Sequence, residues 1–425
     1  MINQKIYFED IPKYLIIFIP FFLITGPFLS DLAVSVVALI FLINSYFNDL
    51  KKFYNNIYFK LFILFWIILI ISSLLSENIF ISLKSSFFYF RFGIFTLCFW
   101  YLIEKNKKIL DYLFFSILFC FSILIIDGYI QYIFGQNIFG FELYNKFRVS
   151  SFFGSELILG SYLCRFFPIL FGLFIYVDKK KKSKKLLFLI TSIFILSEGL
   201  IFLSGERLAL FFMNLSAIFI ILMIKNYRKY RFWTYIISLF LIFILSNLYP
   251  NSKERLIDQT INDFTRNSDK LYIFSKPHND MYIAGYRMFL DHKLFGVGVR
   301  QFRNECQNYP VSEYSCSSHP HNTYIELLSE TGIFGFIFIF ALFIIITYLT
   351  LRQFISKFFK SKVEYFNDFE LCVISAILIS LWPFSPSGSF FNNWMSIIYF
   401  FPIGILLWQI NLKNPQQTKN LILKY

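Results

Sequence analysis

The sequence predicts an all-α polytopic membrane protein with about twelve transmembrane helices and one large loop outside the membrane. Of the 425 residues, 57% are hydrophobic and only 16% are charged, whereas soluble domains are about 45–50% apolar and about 25% charged. Apolar windows of about 17–22 residues recur along the chain, and each is long enough to cross about 30 Å of hydrocarbon as a helix. This composition excludes an ordinary water-soluble protein.

The predicted transmembrane helices follow the apolar windows. They cover approximately 13–29, 31–48, 60–76, 86–103, 109–127, 157–177, 186–203, 208–225, 232–249, 331–351, 369–384 and 395–411. We therefore expect residues 1–425 to form a single membrane domain, with a large loop at 251–322 between the ninth and tenth helices. Apolar residues at helical spacing around 280–290 predict short amphipathic helices within this loop.

The charged connectors predict the orientation of the chain. Basic residues concentrate in the connectors at 51–52, 105–108, 178–185, 225–231 and 352–362, which fall on one side of a twelve-helix arrangement. Because cytoplasmic loops carry an excess of Lys and Arg, that side is cytoplasmic and the 251–322 loop is periplasmic. The formal charge of +14 is then a topology signal, and we expect no nucleic-acid partner. The first apolar segment is expected to remain as an anchor.

Two cysteines, Cys306 and Cys316, lie close together in the predicted periplasmic loop, and the other four lie in predicted helices. An oxidising periplasm favours a disulfide between them, with two free thiols or a pair of metal ligands as alternatives.

All four histidines fall in the same loop, at His278, His292, His319 and His321. A metal site is one interpretation, but the spacings match no zinc pattern, and we expect no metal. A second interpretation is that aqueous loops tolerate histidine whereas membrane helices do not, which would explain the clustering without a function.

His321 precedes a predicted helix. Thr323 and Glu326 have capping-box spacing, so a helix should begin near Thr323. The positive end of that helix disfavours imidazolium and would keep the ring of His321 neutral. A neutral imidazole at the membrane face is a candidate general base, although the same residues are also consistent with capping and packing alone.

Two arginines predicted to face outward, Arg207 and Arg287, are candidate anion ligands. A guanidinium holds phosphate oxygens in pairs, which suits a pyrophosphate leaving group. Because no nucleotide is supplied outside the membrane, a group transfer there needs its own activated donor, such as a lipid-linked sugar pyrophosphate. Simple anchoring at the membrane interface is the alternative for both. Inside the predicted helices, Arg165 and Glu198 are expected to form a structural ion pair.

The segment after the loop resembles a known family, the bacterial O-antigen ligase and polymerase superfamily of inner-membrane glycosyltransferases. His321 and Asn322, followed by Glu330, Gly332 and Gly335, are similar to the family's His-Asn and Glu-x-Gly-x-x-Gly signature. The glycines would allow close approach of a neighbouring segment.

Two further segments carry the resemblance. Arg287 with the Leu-Phe-Gly-Val-Gly turn at 294–298 resembles the family's loop-helix arginine and its glycine turn, and Arg207 resembles the arginine between the seventh and eighth helices. Weaker similarities are Asp127, Gln131, Gly135, Gly140, Phe153, Gly154 and Gly160. The resemblance covers about 120–350.

The resemblance implies a GT-C-like fold and a metal-independent, inverting glycosyltransferase in the bacterial inner membrane, with its active site facing the periplasm and no cofactor. His321 would be the catalytic base, and Arg207 and Arg287 would be catalytic residues that also bind the pyrophosphate. Asn322 and His319 would contact substrate, although His319 is not part of the signature. Glu330, Gly332, Gly335 and the cysteine pair Cys306 and Cys316 would be structural.

The implied reaction is transfer of a polysaccharide from undecaprenyl pyrophosphate to lipid A core, within a membrane-lipid environment. A polymerase that uses a lipid-linked repeat unit as acceptor is the main alternative. A twelve-helix transporter is a lesser one, since the large loop has no counterpart in the first half and no internal repeat is evident.

Overall fold

The computed structural model describes residues 2–265, 274–359 and 364–412. Within these ranges the regular secondary structure is helical, apart from two isolated β-bridges at Gln136–Glu142 and Tyr144–Arg148. The helices are α1 Ile2–Thr25, α2 Pro27–Phe47, α3 Lys51–Tyr54, α4 Ile57–Leu74, α5 Ile79–Phe87, α6 Phe90–Lys105, α7 Lys108–Phe134, α8 Leu159–Lys181, α9 Lys184–Ser204, α10 Arg207–Met223, α11 Arg228–Leu248, α12 Pro250–Lys253, α13 Gln259–Thr265, α14 Lys276–Asp291, α15 Phe302–Glu305, α16 Thr323–Phe358, α17 Asp368–Ser380 and α18 Asn393–Leu412. The all-helical prediction is confirmed for the described residues.

Nine helical segments in the described part of the chain are long and apolar enough to cross a membrane. Each of the twelve predicted windows overlaps a helix, but α1, α10 and α17 are not among the nine, and α10 has only 17 residues. The protein is therefore a multi-pass membrane protein, while the count of twelve and the sidedness of the loop stay predictions. Part of the 251–322 loop and part of the connector at 352–362 lie outside the described residues.

The core of the bundle forms around α8, which packs against α7, α9, α10 and α17. A second layer joins α6 to α2 and α18. Aromatic side chains fill these interfaces: Tyr162 on α8 stacks on Phe166 with ring centroids 4.7 Å apart, and Phe99 on α6 contacts Phe401 on α18 at 5.1 Å. The many phenylalanines are thus largely the packing material of the bundle.

The predicted ion pair between Arg165 and Glu198 is wrong. Both side chains are buried, but Arg165 donates to the hydroxyl of Ser161 at 2.8 Å, and the carboxyl of Glu198 accepts from Asn214 at 3.5 Å. Each side chain therefore has a polar neighbour on its own or an adjacent helix, while Arg165 Nε and Glu198 Oε1 are buried without a hydrogen-bond partner among the described residues.

The segment at 251–322 has a small core of its own. Met281 and Met288 on α14 pack against Val297, Phe302 and Cys306. Cys306 is joined to Cys316 by a disulfide, with Cα atoms 5.2 Å apart. The segment is therefore held together by apolar packing and a covalent link, and α14 fastens it to the bundle by packing against α16.

Helix α16 is interrupted at Gly332, where the glycine turn at 294–298 docks. Gly332 has φ 64° and ψ −165°, a conformation that is essentially restricted to glycine. The N–H of Ile333 donates to the carbonyl of Lys293 at 2.9 Å, and the N–H of Gly298 donates to the carbonyl of Glu330 at 3.0 Å. The two glycine motifs of the sequence therefore form one contact between the loop and α16.

We expect Gly332→Ala to destabilise the fold by about 2–5 kcal/mol, combining a left-handed backbone penalty with overpacking. A Cβ at Gly332 would lie 2.3 Å from the carbonyl carbon of Leu294. Gly135→Ala is the matched control, because Gly135 also has a positive φ but a Cβ there would meet no atom within 4 Å. Thermal unfolding in detergent measures both, and equal losses would contradict the docking account.

Candidate functional site

The site is built at the first turn of α16. The helix begins at Thr323 as predicted, but the capping box is wrong: Asn322 is the N-cap, and its side-chain oxygen accepts from the N–H groups of Tyr324 at 2.9 Å and Ile325 at 3.1 Å. The amide nitrogen of Asn322 donates to the carbonyls of Pro383 at 2.9 Å and Ser385 at 3.1 Å. Asn322 thus fixes both the helix start and the segment before α18, and its substrate contact stays a prediction.

Two buried glutamates on α16 hold the flanking loops. Glu326, expected in the capping box, instead accepts from the hydroxyl of Ser389 at 2.5 Å and the N–H of Phe390 at 2.7 Å. Glu330 accepts from the N–H groups of Arg300 at 2.6 Å and Phe302 at 3.0 Å. Buried carboxylates need such donors. The first turns of α16 therefore tie the 296–302 turn and the 385–390 segment to one helix.

His321 has a left-handed backbone, with φ 54°, which non-glycine residues adopt rarely and at a cost. Its carbonyl accepts from the N–H of Ser387 at 2.8 Å and from the hydroxyl of Tyr282 at 3.2 Å. These two bonds, one from each side, hold the strained backbone and set the direction of the imidazole.

Three of the four histidines meet at this point. The ring centroids of His319 and His321 are 4.0 Å apart, and those of His278 and His321 are 5.7 Å apart. Burial lowers the pKa of His321 to about 4, and the nearby His278 adds to the effect. Burial lowers the pKa of His319 to about 4 as well, with His321 as the next cause. The rings of His319 and His321 are therefore neutral at pH 7.

Both ring nitrogens of His319 have a hydrogen-bond partner, whereas one ring nitrogen of His321 has none among the described residues. His319 Nδ1 lies 2.9 Å from the hydroxyl of Ser318, and His319 Nε2 lies 3.3 Å from the carbonyl oxygen of Ser387. His321 Nε2 lies 3.3 Å from the hydroxyl of Ser317, and His321 Nδ1 has no hydrogen-bond partner within the described ranges. His321 is accordingly the histidine best able to accept a proton, because both ring nitrogens of His319 already contact protein oxygens.

Arg207 starts α10 and belongs to a cluster of three arginines. Its guanidinium donates to the carbonyl of Arg255 at 2.7 Å and pairs with Asp263 at 2.8 Å. Arg255 donates to the carbonyl of Gly205 at 2.9 Å, and Arg148 donates to the carbonyl of Ser204 at 2.8 Å. Burial lowers the pKa of Arg148 to about 10, with Arg255 as the next cause. The turn before α10 thus gathers three cations.

The Arg207 cluster acts electrostatically on His278. Burial lowers the pKa of His278, and the charges of Asp263 and Arg207 also act on it. Sequence reasoning missed Arg148 and Arg255, and it named His278 only as one of the clustered histidines. Arg255 lies in a π-helical turn, Glu254–Asp258, a feature frequent at functional sites. Its five-residue extent gives no sequence signal.

Arg287 is placed elsewhere. It is exposed and donates to the carbonyl of Pro310 at 3.0 Å. At 100° per residue on α14, it lies about 180° around the helix from His278. The structure therefore brings His278, His319 and His321 together, with the charge of Arg207 acting on His278. It leaves Arg287 beside the disulfide-linked loop, and the contact of Arg287 with pyrophosphate stays a prediction.

The arrangement suits proton abstraction beside an anion. No group of three or more His, Cys, Asp or Glu side chains able to hold a metal occurs among the described residues. The neutral, half-buried imidazole of His321 can accept a proton, and the Arg207 cluster can attract a negatively charged leaving group to the same end of the bundle.

Part of the chain is similar to a known family. Residues 190–340 match the family model described as O-Antigen ligase. No curated protein matches the chain. The matched segment contains Arg207 and Arg255 of the cluster, α14 and the motif that follows His321, while Arg148 precedes it. The resemblance seen in the sequence is therefore confirmed over residues 190–340, which are similar to the O-antigen ligase family.

Proposed function

We propose that the protein is an O-antigen ligase that transfers a polysaccharide from undecaprenyl pyrophosphate to lipid A core on the periplasmic face of the inner membrane. The family match supports an activity of the O-antigen ligase and polymerase type in lipopolysaccharide biosynthesis. The observation that carries the finer proposal is the neutral His321 held in a strained turn beside His278, on which the charge of Arg207 acts.

In the proposed reaction, His321 takes the proton from an acceptor hydroxyl as its oxygen attacks the anomeric carbon of the donor glycan. The bond from that carbon to the pyrophosphate oxygen breaks, and its electron pair leaves with undecaprenyl pyrophosphate. A single displacement of this kind inverts the anomeric centre. The base and the anion ligands act at the same time on the bonds that form and break.

The Arg207 cluster is the proposed pyrophosphate site. A guanidinium has five N–H donors, and in Arg207 three nitrogens already donate once each, to Arg255, Asp263 and Gln259. The remaining donors of Arg207, with those of Arg255, could bind phosphate oxygens. In this proposal arginines, and no metal ion, supply the positive charge that binds the pyrophosphate. Transfer should therefore proceed in the presence of EDTA, which removes divalent cations.

We expect His321→Ala to abolish glycan transfer while the protein stays folded. The assay mixes purified protein with an undecaprenyl-pyrophosphate glycan, with and without lipid A core, in EDTA and without nucleotide. His292→Ala is the control, because His292 is exposed at the end of α14. Normal transfer by His321→Ala would exclude the base role, and longer glycan on undecaprenyl pyrophosphate would indicate a polymerase.

Arg207→Lys should raise the donor KM by about tenfold or more, since an ammonium cannot hold two oxygens in a fixed fork. Asp263→Asn provides the contrast, because it removes the partner of Arg207 but leaves the guanidinium free for phosphate. The donor KM of Asp263→Asn should be unchanged or lower. If both variants raise the donor KM equally, Arg207 serves only to hold α13.

The pH profile should reflect the depressed pKa of His321. Acidification protonates the imidazole and removes the base, and kcat/KM reports the free enzyme. Because the pKa of His321 is about 4, kcat/KM should stay level from pH 8 to well below 6.5 and fall only as the pH approaches 4. A fall centred at or above pH 6.5 would contradict the assignment.

A further inference from the structure

A second positively charged site lies next to the 387–391 segment, which also contacts His319. It is a cavity of about 470 Å³, within the size range of ligand pockets. We call it the basic pocket and define it by Lys84 on α5, Arg91 on α6, Arg300, and Arg303 on α15. None of these residues belongs to the proposed pyrophosphate site.

The charges of the basic pocket are poorly compensated. Asp31 is the one acidic residue in its lining, and it pairs with Arg91 at 2.6 Å. Arg91 Nε is buried without a hydrogen-bond partner in the described part of the chain. Neither Lys84 nor Arg303 forms an ion pair within those ranges, and both are exposed to solvent. Lys84 and Arg303, two cations without an ion pair at one cavity, favour an anionic ligand.

Arg300 is fixed in place at the edge of the pocket. Its backbone has φ 60°, its N–H donates to Glu330 at 2.6 Å, and its guanidinium donates to the carbonyl of Phe391 at 2.5 Å. Burial lowers the pKa of Arg300, and the charge of Arg303 is the next cause. Glu330, which holds the 296–302 turn to α16, therefore also positions Arg300 in the basic pocket.

Apolar side chains form the rest of the wall. Phe80 and Phe88 line the cavity and are 80% and 51% exposed. Their exposure at the ends of membrane helices fits contact with lipid. Phosphate ligands beside an apolar wall suit a phosphorylated lipid better than a water-soluble sugar phosphate.

The basic pocket and the histidines share the segment before α18. His319 Nε2 lies 3.3 Å from the carbonyl oxygen of Ser387, and Arg300 donates to the carbonyl of Phe391 at 2.5 Å. The rings of His278 and His319 both contact that of His321. A transferase with two lipid substrates needs a binding region for each of them near its base, and the Arg207 cluster is the proposed donor region.

We propose that the basic pocket binds a phosphate group of the acceptor glycolipid and so directs its sugar hydroxyl toward His321. The inference rests on the proposed ligase function, in which lipid A core, a phosphate-bearing glycolipid, is the acceptor. Lys84 and Arg303 are the exposed ligands, while Arg91 and Arg300 are held by protein contacts.

The test compares a Lys84→Gln, Arg303→Gln double variant with a Lys253→Gln, Lys293→Gln control. All four side chains are exposed, so folding should be preserved and each protein loses two charges. The Lys84→Gln, Arg303→Gln variant should raise the KM for phosphorylated lipid A core about tenfold or more. Its KM for the donor and its KM for dephosphorylated lipid A core should be unchanged. An unchanged acceptor KM, or a raised donor KM, would overturn the proposal.

A binding measurement separates this inference from the ligase function. Lipid A core is titrated into wild-type and variant protein without donor, in competition with phosphatidylglycerol vesicles. Weaker binding by the double variant alone would support the pocket even if no glycan were transferred. Equal binding by both variants, or complete competition by the vesicles, would overturn the assignment to the acceptor.

Discussion

The hydrogen bonds of two buried carboxylates, Glu326 and Glu330, are the constraint on which the site depends. Each carboxylate is taken out of water inside the bundle, so it must be satisfied by protein donors, and each draws those donors from a different loop. The break at Gly332 completes the contact by admitting the 294–298 turn. Because both loops are bound to α16, His321 is held from two sides in a backbone conformation that it would not adopt alone.

The electrostatics of the site follow from that packing. Crowding His278, His319 and His321 into a half-buried cleft keeps their rings neutral, since a charged ring would lose hydration and meet its neighbours' charge. The permanent charges of Arg207 and Arg303 act on two of these rings, His278 and His319 respectively. A neutral base near two cationic sites suits a reaction in which an anionic lipid leaves and a second lipid supplies the attacking hydroxyl.

Sequence patterns were most informative where the information is local. Apolar windows predict the helices, and the spacing after His321 predicts the start of α16 and the family. The capping box failed because Glu326 bonds to residues more than sixty positions away, which local spacing cannot reveal. Arg287 and His278 share α14, yet periodicity alone does not say which face meets the histidines. The basic pocket joins α5, α6 and the loop, so only tertiary contacts reveal it.

The central claim is that His321, whose backbone lies in a left-handed turn, uses its neutral ring to accept the proton of the acceptor hydroxyl. His321→Gly tests it most directly, because glycine adopts φ 54° without strain and leaves the space of the ring empty. We predict that this variant transfers no glycan and that added imidazole restores transfer in proportion to the concentration of its neutral form. Transfer at the wild-type rate by His321→Gly without imidazole would contradict the claim.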